Sequence, residues 1–244
     1  RFYEGSETVG RDEFHAFAGP IVRQNDLQAM EWVPSVAAIE KETFEAQARA
    51  EGIKDFAIWQ KGADGQRESA GERESYYPVW FVEPVSGNEA AMGYDLGSEP
   101  VRRTALEMAL DTGLAVATEP ITLVQGKGKQ TGMLVFHPVF SRERETREFR
   151  GFALAVLRPD SMLKTASSSN GVDDDTSLVV SLLHLQGDRA PRLMASSQRG
   201  DLHRLEDGGG EPAMLAGGSG PFDVFPLFAF GKCYALTVQP GRSF

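Results

Sequence analysis

Few residues in this sequence have the type and spacing that covalent chemistry needs. Ser161 and Lys164 stand three apart, the Ser-x-x-Lys spacing in which a lysine can help activate a serine nucleophile. That chemistry also needs a later Ser-Asp-Asn and Lys-Thr-Gly, and neither occurs. The same residues suit a helix start capped by Asp160 or Ser161, with Leu163 turned inward. His15, His137, His184 and His203 never fall at metal-ligand spacing, and His137 and His184 lie inside apolar runs where a core or edge histidine is expected. Asp173, Asp174 and Asp175 could meet a hard cation, but the glycine and distal glutamate of a calcium loop are not placed after them, so a solvated acidic loop is expected. The turn Gly126-Lys127-Gly128-Lys129 lacks the context of a phosphate-binding loop. An acid, a base and a nucleophile are nowhere assembled, so no catalytic residue, metal or cofactor is expected. What remains is the aromatic run Tyr76-Tyr77-Pro78-Val79-Trp80-Phe81, which suits either the wall of a small-molecule pocket or a core.

The chain that must position these residues has 244 of them, 41% hydrophobic and 25% charged, with a formal net charge of −10. That is enough chain for one large domain or two small ones. The acidic balance argues against a nucleic-acid partner or docking on anionic lipid, both of which need clustered Lys and Arg. One cysteine, Cys233, excludes a disulfide framework and is expected to be buried in the last hairpin. The first fifty residues read as a long helix, with Leu27, Met30, Val33, Val36 and Phe44 on one stripe, Glu45 and Arg49 paired four apart, kinks at Pro20 and Pro34, and a stop at Gly52.

Strands are expected at 55–59, 76–82 and 92–96. A helix capped at Ser98 should then run to Gly113. Further strands are expected at 114–117, 121–125 and 133–140, the last two forming a hairpin. A charged patch at 142–150 precedes a second group: a strand at 152–157, a short helix from Asp160, strands at 178–185 and 191–195, a glycine-rich loop at 207–220, and a final hairpin of 222–230 with 233–238. The layout is a helix followed by two αβ units of mostly antiparallel strands.

The ordered motifs also carry a family resemblance. Glu31-Trp32-Val33-Pro34-Ser35-Val36, Glu42-Thr43-Phe44-Glu45, Tyr76-Tyr77-Pro78-Val79, Gly93-Tyr94-Asp95-Leu96, Asp111-Thr112-Gly113, the run 117–125 and Gly132-Met133-Leu134-Val135-Phe136 together resemble a CHASE domain across roughly residues 27 to 140. The resemblance implies an extracytoplasmic sensor module of membrane histidine kinases and nucleotide cyclases. The fold expected is α+β: a long N-terminal stalk helix over 1–52, a membrane-distal PAS-like ligand-binding domain over 53–145, and a membrane-proximal PAS-like domain over 146–244. Flanking membrane helices would explain a sequence that starts at Arg1 and stops at Phe244, and would place this part in the periplasm or outside a bacterial cell membrane. Plant members bind cytokinin, a substituted adenine, through an aspartate whose position here is Glu74. The implied site is Glu74 as polar anchor with Tyr76, Tyr77, Pro78, Trp80, Thr118, Ile121 and Phe136. Tyr77 stands where a small residue is usual, so the expected ligand is purine-, amine- or amino-acid-like rather than cytokinin itself. Asp95 with Arg102 or Arg103 is expected to form a structural ion pair. A homodimer along the stalk helix is expected, with a cytoplasmic histidine kinase or cyclase as output. The alternative is a periplasmic protein–protein interaction module whose distal pocket is filled by its own side chains.

Overall fold

The computed structural model describes residues 10–123, 131–141, 148–169, 178–197 and 223–240. The fold is α+β, with antiparallel sheets and few helices, in two compact units that divide between Leu157 and Arg158. Among the described residues no helix is long and apolar enough to cross a membrane.

Helix α1 (Arg11–Gln24) is followed by β1 (Ala29–Pro34), β2 (Val36–Ala37) and α2 (Lys41–Ala50), so the long stalk helix is not what forms. Helix α1 is 14 residues long and keeps Pro20 inside it. The stripe from Leu27 to Phe44 failed as a helix signal because β1 is buried on both faces. Ala29 and Val33 pack on one side while Trp32 and Met30 pack on the other. In such a strand every position is apolar or enclosed, and helical spacing is satisfied by chance. Pro34, which lacks an N–H, ends the strand. The expected Glu45–Arg49 pair forms on α2, at 3.8 Å.

Short strands β3 (Trp59–Lys61) and β4 (Arg67–Ser69) pair with each other, and β5 (Ser75–Tyr76) pairs with β2. Then come β6 (Phe81–Glu83), α3 (Pro100–Thr112), β7 (Val116–Ala117), β8 (Ile121–Thr122), β9 (Thr131–Phe140) and β10 (Phe149–Leu157). The main sheet runs β6-β1-β10-β9-β7, with β8 also on β9. Because β10 pairs along the whole of β1, the chain from 149 to 157 belongs to the first unit, whereas the charged patch had suggested a division near residue 145. Helix α3 has Glu99 and not the expected Ser98 as N-cap: the Glu99 carboxylate accepts from the Val101 and Arg102 N–H groups at 3.1 Å, while the Ser98 hydroxyl donates to the Asp95 carbonyl, and Pro100 follows in the first turn. Gly113, at φ +68°, ends it as expected.

The sheet separates two cores. On one face, Val33, Phe136, Phe152 and Leu154 pack with Leu106 of α3 and with Tyr94. On the other, Phe14 of α1 packs with Trp32, Phe56, Ile58, Trp80 and Phe81. Residues opposite one another in an antiparallel pair share a face, so the rows Val33–Phe152 and Leu154–Phe136 build the first core directly.

The second unit contains α4 (Pro159–Ser169), β11 (Leu178–Gln186), β12 (Arg189–Ser196), β13 (Asp223–Ala229) and β14 (Lys232–Pro240). Its antiparallel sheet has the order β12-β11-β14-β13, and α4 packs against β12. Ser181, Ser196 and Thr237 lie side by side on one buried face, with the Ser181 and Ser196 hydroxyls 3.1 Å apart. Cys233 is exposed, not buried: it pairs with Leu185 of β11 and with Phe228 of β13, itself exposed, while the next residue, Tyr234, points to the opposite face and is buried. The expected loops at 126–129, 173–175 and 207–220, and His203, lie outside the described residues.

Candidate functional site

The site grows from three extended segments that cover the α3 face of the first sheet. The Asp95 N–H donates to the Trp59 carbonyl (2.8 Å), the Trp59 N–H to the Gly93 carbonyl (2.9 Å), the Val79 N–H to the Tyr94 carbonyl (3.1 Å), and the Leu96 N–H to the Tyr77 carbonyl (3.0 Å). Gly93 makes this closeness possible. Its φ is +77°, and a Cβ there would stand 2.5 Å from the Ala57 carbonyl oxygen.

At the centre is Asp95, fully buried. One carboxylate oxygen accepts the N–H groups of Tyr77 (2.9 Å) and Gly97 (3.1 Å). The other makes no hydrogen bond and lies 3.2 Å from the Arg73 guanidinium. Burial pushes the Asp95 carboxyl above the usual carboxylate range, against the opposing pull of those N–H groups, Arg73 and Arg103. Arg73 also donates to Gln60 Oε1 (2.6 Å) and the Gly71 carbonyl (3.2 Å), so it ties the 71–73 loop to the 95–97 turn. Tyr77 is half-buried, its ring edge-on to Phe152 at 5.7 Å. Burial raises the Tyr77 phenol, with Asp95 and Glu107 of α3 adding negative charge around it. Glu31 of β1, also buried, shares its face with Ala29 and Val33 and lies in register between Val82 and Leu154.

The expected pair between Asp95 and Arg102 or Arg103 does not form. Arg102 instead binds Glu99 (3.0 Å) and the Thr122 carbonyl (3.2 Å), and Arg103 donates to the Gly97 carbonyl (2.8 Å). The two arginines brace the start of α3, and the more distant Arg73 takes the aspartate.

The structure brings some of the expected site residues together and separates others. Tyr77, Ile121 and Phe136 share the α3-side core. Pro78 is buried and bridges to Asp95. Thr118 is buried, with its backbone N–H on the Leu134 carbonyl (2.8 Å) and its hydroxyl accepting from the Leu134 N–H (3.1 Å). Tyr76 and Trp80 face the other core, Tyr76 under the Lys41 ammonium and Trp80 against Phe44, with ring centroids 4.1 Å apart. Glu74 is exposed, and its carbonyl accepts the Ala38 N–H. Arg73 and Glu107 escaped the sequence reading because only the tertiary fold brings Arg73 to Asp95 and Glu107 near Tyr77, and Glu31 entered it only as part of a motif.

The Ser161–Lys164 spacing makes no nucleophile. Both are on α4, where the Lys164 ammonium lies 4.0 Å from Asp160 rather than on the serine. Among the described residues no group of three metal-ligating side chains forms.

Known proteins resemble this arrangement at two levels. A hybrid signal transduction histidine kinase A of Dictyostelium discoideum is 29% identical over 92 residues, which are 37% of this chain and 4% of that protein, so the chain spans a small part of this relative. Among solved structures, an extracellular ligand binding receptor from Desulfohalobium retbaense DSM5692 aligns with a TM-score of 0.53 at 13% identity, covering 98% of this chain and 34% of that one. At that identity the likeness is one of fold. The family model described as CHASE domain matches residues 7–194, well over half of the sequence, and the chain belongs to the CHASE domain family.

Proposed function

We propose that this chain senses a small molecule on the α3-side face of its first unit and passes the signal to a cytoplasmic histidine kinase or cyclase. CHASE is an extracytoplasmic, non-catalytic sensor domain of membrane receptors, so the coarse role follows from family membership. The first unit is then the membrane-distal PAS-like domain and the second the membrane-proximal one. One observation carries the ligand reading: Tyr77 stands half-buried between the aromatic core and a buried carboxylate, on a covering segment attached by a few backbone bonds and one arginine. An aromatic wall with a few fixed polar groups is how small-molecule sites are lined. The Asp95 carboxylate and the Tyr77 phenol favour a ligand that offers N–H groups, whether purine, amine or amino acid.

The test is thermal unfolding of residues 1–244 with substituted adenines, primary amines and free amino acids in turn. One class should raise the midpoint by several degrees, and Tyr77→Leu should abolish the shift while Trp80→Phe, on the opposite core, should keep it. Glu74→Ala tests whether the exposed glutamate anchors the ligand. No shift with any class would refute small-molecule sensing and favour a protein-binding module.

A further inference from the structure

One acceptor in the site is left without a donor. Asp95 is 0% exposed, yet only one of its carboxylate oxygens is used by the Tyr77 and Gly97 N–H groups. The other, Oδ2, is enclosed and accepts no hydrogen bond. The Arg73 guanidinium stands 3.2 Å from it but directs its N–H groups to Gln60 Oε1 at 2.6 Å and the Gly71 carbonyl at 3.2 Å. Charge holds this pair, without a directed bond. A buried acceptor in that state is costly, and a charge-assisted hydrogen bond is the strongest way to satisfy it. Arg103, the second cation acting on Asp95, is fixed on the Gly97 carbonyl at 2.8 Å. Arg73 is free to leave by comparison: its side chain is 22% exposed, Gly71 is exposed and Gln60 half-buried.

We infer that Arg73 is an internal stand-in for the cation of the ligand: a primary ammonium displaces it from Asp95, donates to Oδ2 and lies against the Tyr77 ring. This rests on the small-molecule reading above and narrows its ligand to a compact monocationic amine. The charges acting on Tyr77 and Asp95 are two carboxylates, Asp95 itself and Glu107, and two arginines, Arg73 and Arg103. With Arg73 turned away, one positive charge is missing. A monocation restores the balance, whereas a neutral adenine does not and an amino acid brings a further carboxylate. Tyr77 is half-buried beside Asp95, and its hydroxyl has no partner among the described residues. The three donors of one ammonium can serve both Oδ2 and that hydroxyl, and the ring adds cation–π attraction. Arg73 then sets the affinity, because its contacts must break before the ligand's can form.

The test is chemical rescue of Arg73→Ala in residues 1–244, read as the thermal midpoint by fluorescence of the buried tryptophans at about pH 8. Arg73→Ala should lower the midpoint by about 3–8 °C. Ethylammonium at about 50 mM should restore at least half of that loss. Sodium chloride and tetramethylammonium at the same concentration carry charge without N–H donors and should restore none. Arg73→Ala combined with Asp95→Asn should gain nothing from ethylammonium. Arg73→Met, which keeps the apolar stem, is a second background in which the same rescue is expected if Arg73→Ala does not fold. Wild type should bind ethylammonium at least about tenfold more weakly than Arg73→Ala. No recovery in either background, equal recovery with sodium chloride, or recovery that survives Asp95→Asn would overturn the inference. Stabilisation of wild type by a substituted adenine or an amino acid, with no rescue by ethylammonium, would refute the exchange while leaving small-molecule sensing intact.

Discussion

Replacing Asp95 tests the physical account of the site most directly. Asp95→Ala removes the acceptor of two backbone N–H groups, those of Tyr77 and Gly97, and leaves Arg73 without its carboxylate. An orphaned N–H costs about 1–3 kcal/mol, and breaking a buried ion pair by deleting one partner about 3–5 kcal/mol. Removing a carboxylate whose burial opposes its ionisation returns part of that, so the expected loss is about 3 kcal/mol. Asp95→Asn keeps an oxygen for both N–H groups but turns its amide donors toward Arg73, so its loss should be smaller, about 1–2 kcal/mol. All three tryptophans, Trp32, Trp59 and Trp80, are buried in the first unit, so denaturant unfolding followed by tryptophan fluorescence reports that unit alone.

The pH dependence gives the sharper discrimination. Because the folded carboxyl is raised above its unfolded value, the folded state holds a proton that the unfolded state has lost. That contribution is fully present below the unfolded value, near pH 4, and is lost as pH rises through the folded value. The stability of wild type relative to Asp95→Asn should therefore be greater near pH 4 than near pH 7, with a slope of at most about 1.4 kcal/mol per pH unit. A difference that grows toward neutral pH would show that Arg73 and the N–H groups outweigh desolvation, and would refute the reasoning.

Two further substitutions test the frame around the site. Gly93→Ala must place a methyl against the Ala57 carbonyl at positive φ and should cost about 3 kcal/mol or more. Gly87→Ala, also at positive φ but with open space around it, should cost about 1 kcal/mol in the same fluorescence assay. Glu99→Ala removes the cap of α3 and the partner of Arg102, and should lower stability by about 1–2 kcal/mol, with Glu99→Asp recovering part of it.

Local chemistry made some elements readable in the sequence. Helix α3 carries its stop in Gly113 and its start beside Pro100, although the cap is Glu99 and not the expected Ser98, and the hairpin of β13 and β14 is marked by its turn. Strand β1 could not be read from spacing, because a strand enclosed on both faces carries no period of two. Two-fold alternation along the aromatic run, by contrast, was available: Tyr77 and Val79 pack in one core, Tyr76 and Trp80 in the other. Consecutive residues of an extended segment cannot all line one wall. The partner of Asp95 was not readable, since Arg73 lies 22 positions away and only the fold brings it to 3.2 Å in place of the nearer Arg102 and Arg103.

Strand β6 has a mechanical consequence. It is three residues long, among the described strands it pairs with β1 alone, and its side chains alternate between the two cores. Val82 packs toward α3 and Tyr94, while Phe81 packs toward α1 and Glu83 meets His15 of α1 at 2.6 Å. Like β1, it touches both cores, but it does so at the edge of the sheet, where one described neighbour rather than two holds it. A displacement of Val82 beneath α3 would reach Phe81 and the Glu83–His15 contact through adjacent backbone, because neighbouring strand residues point to opposite faces.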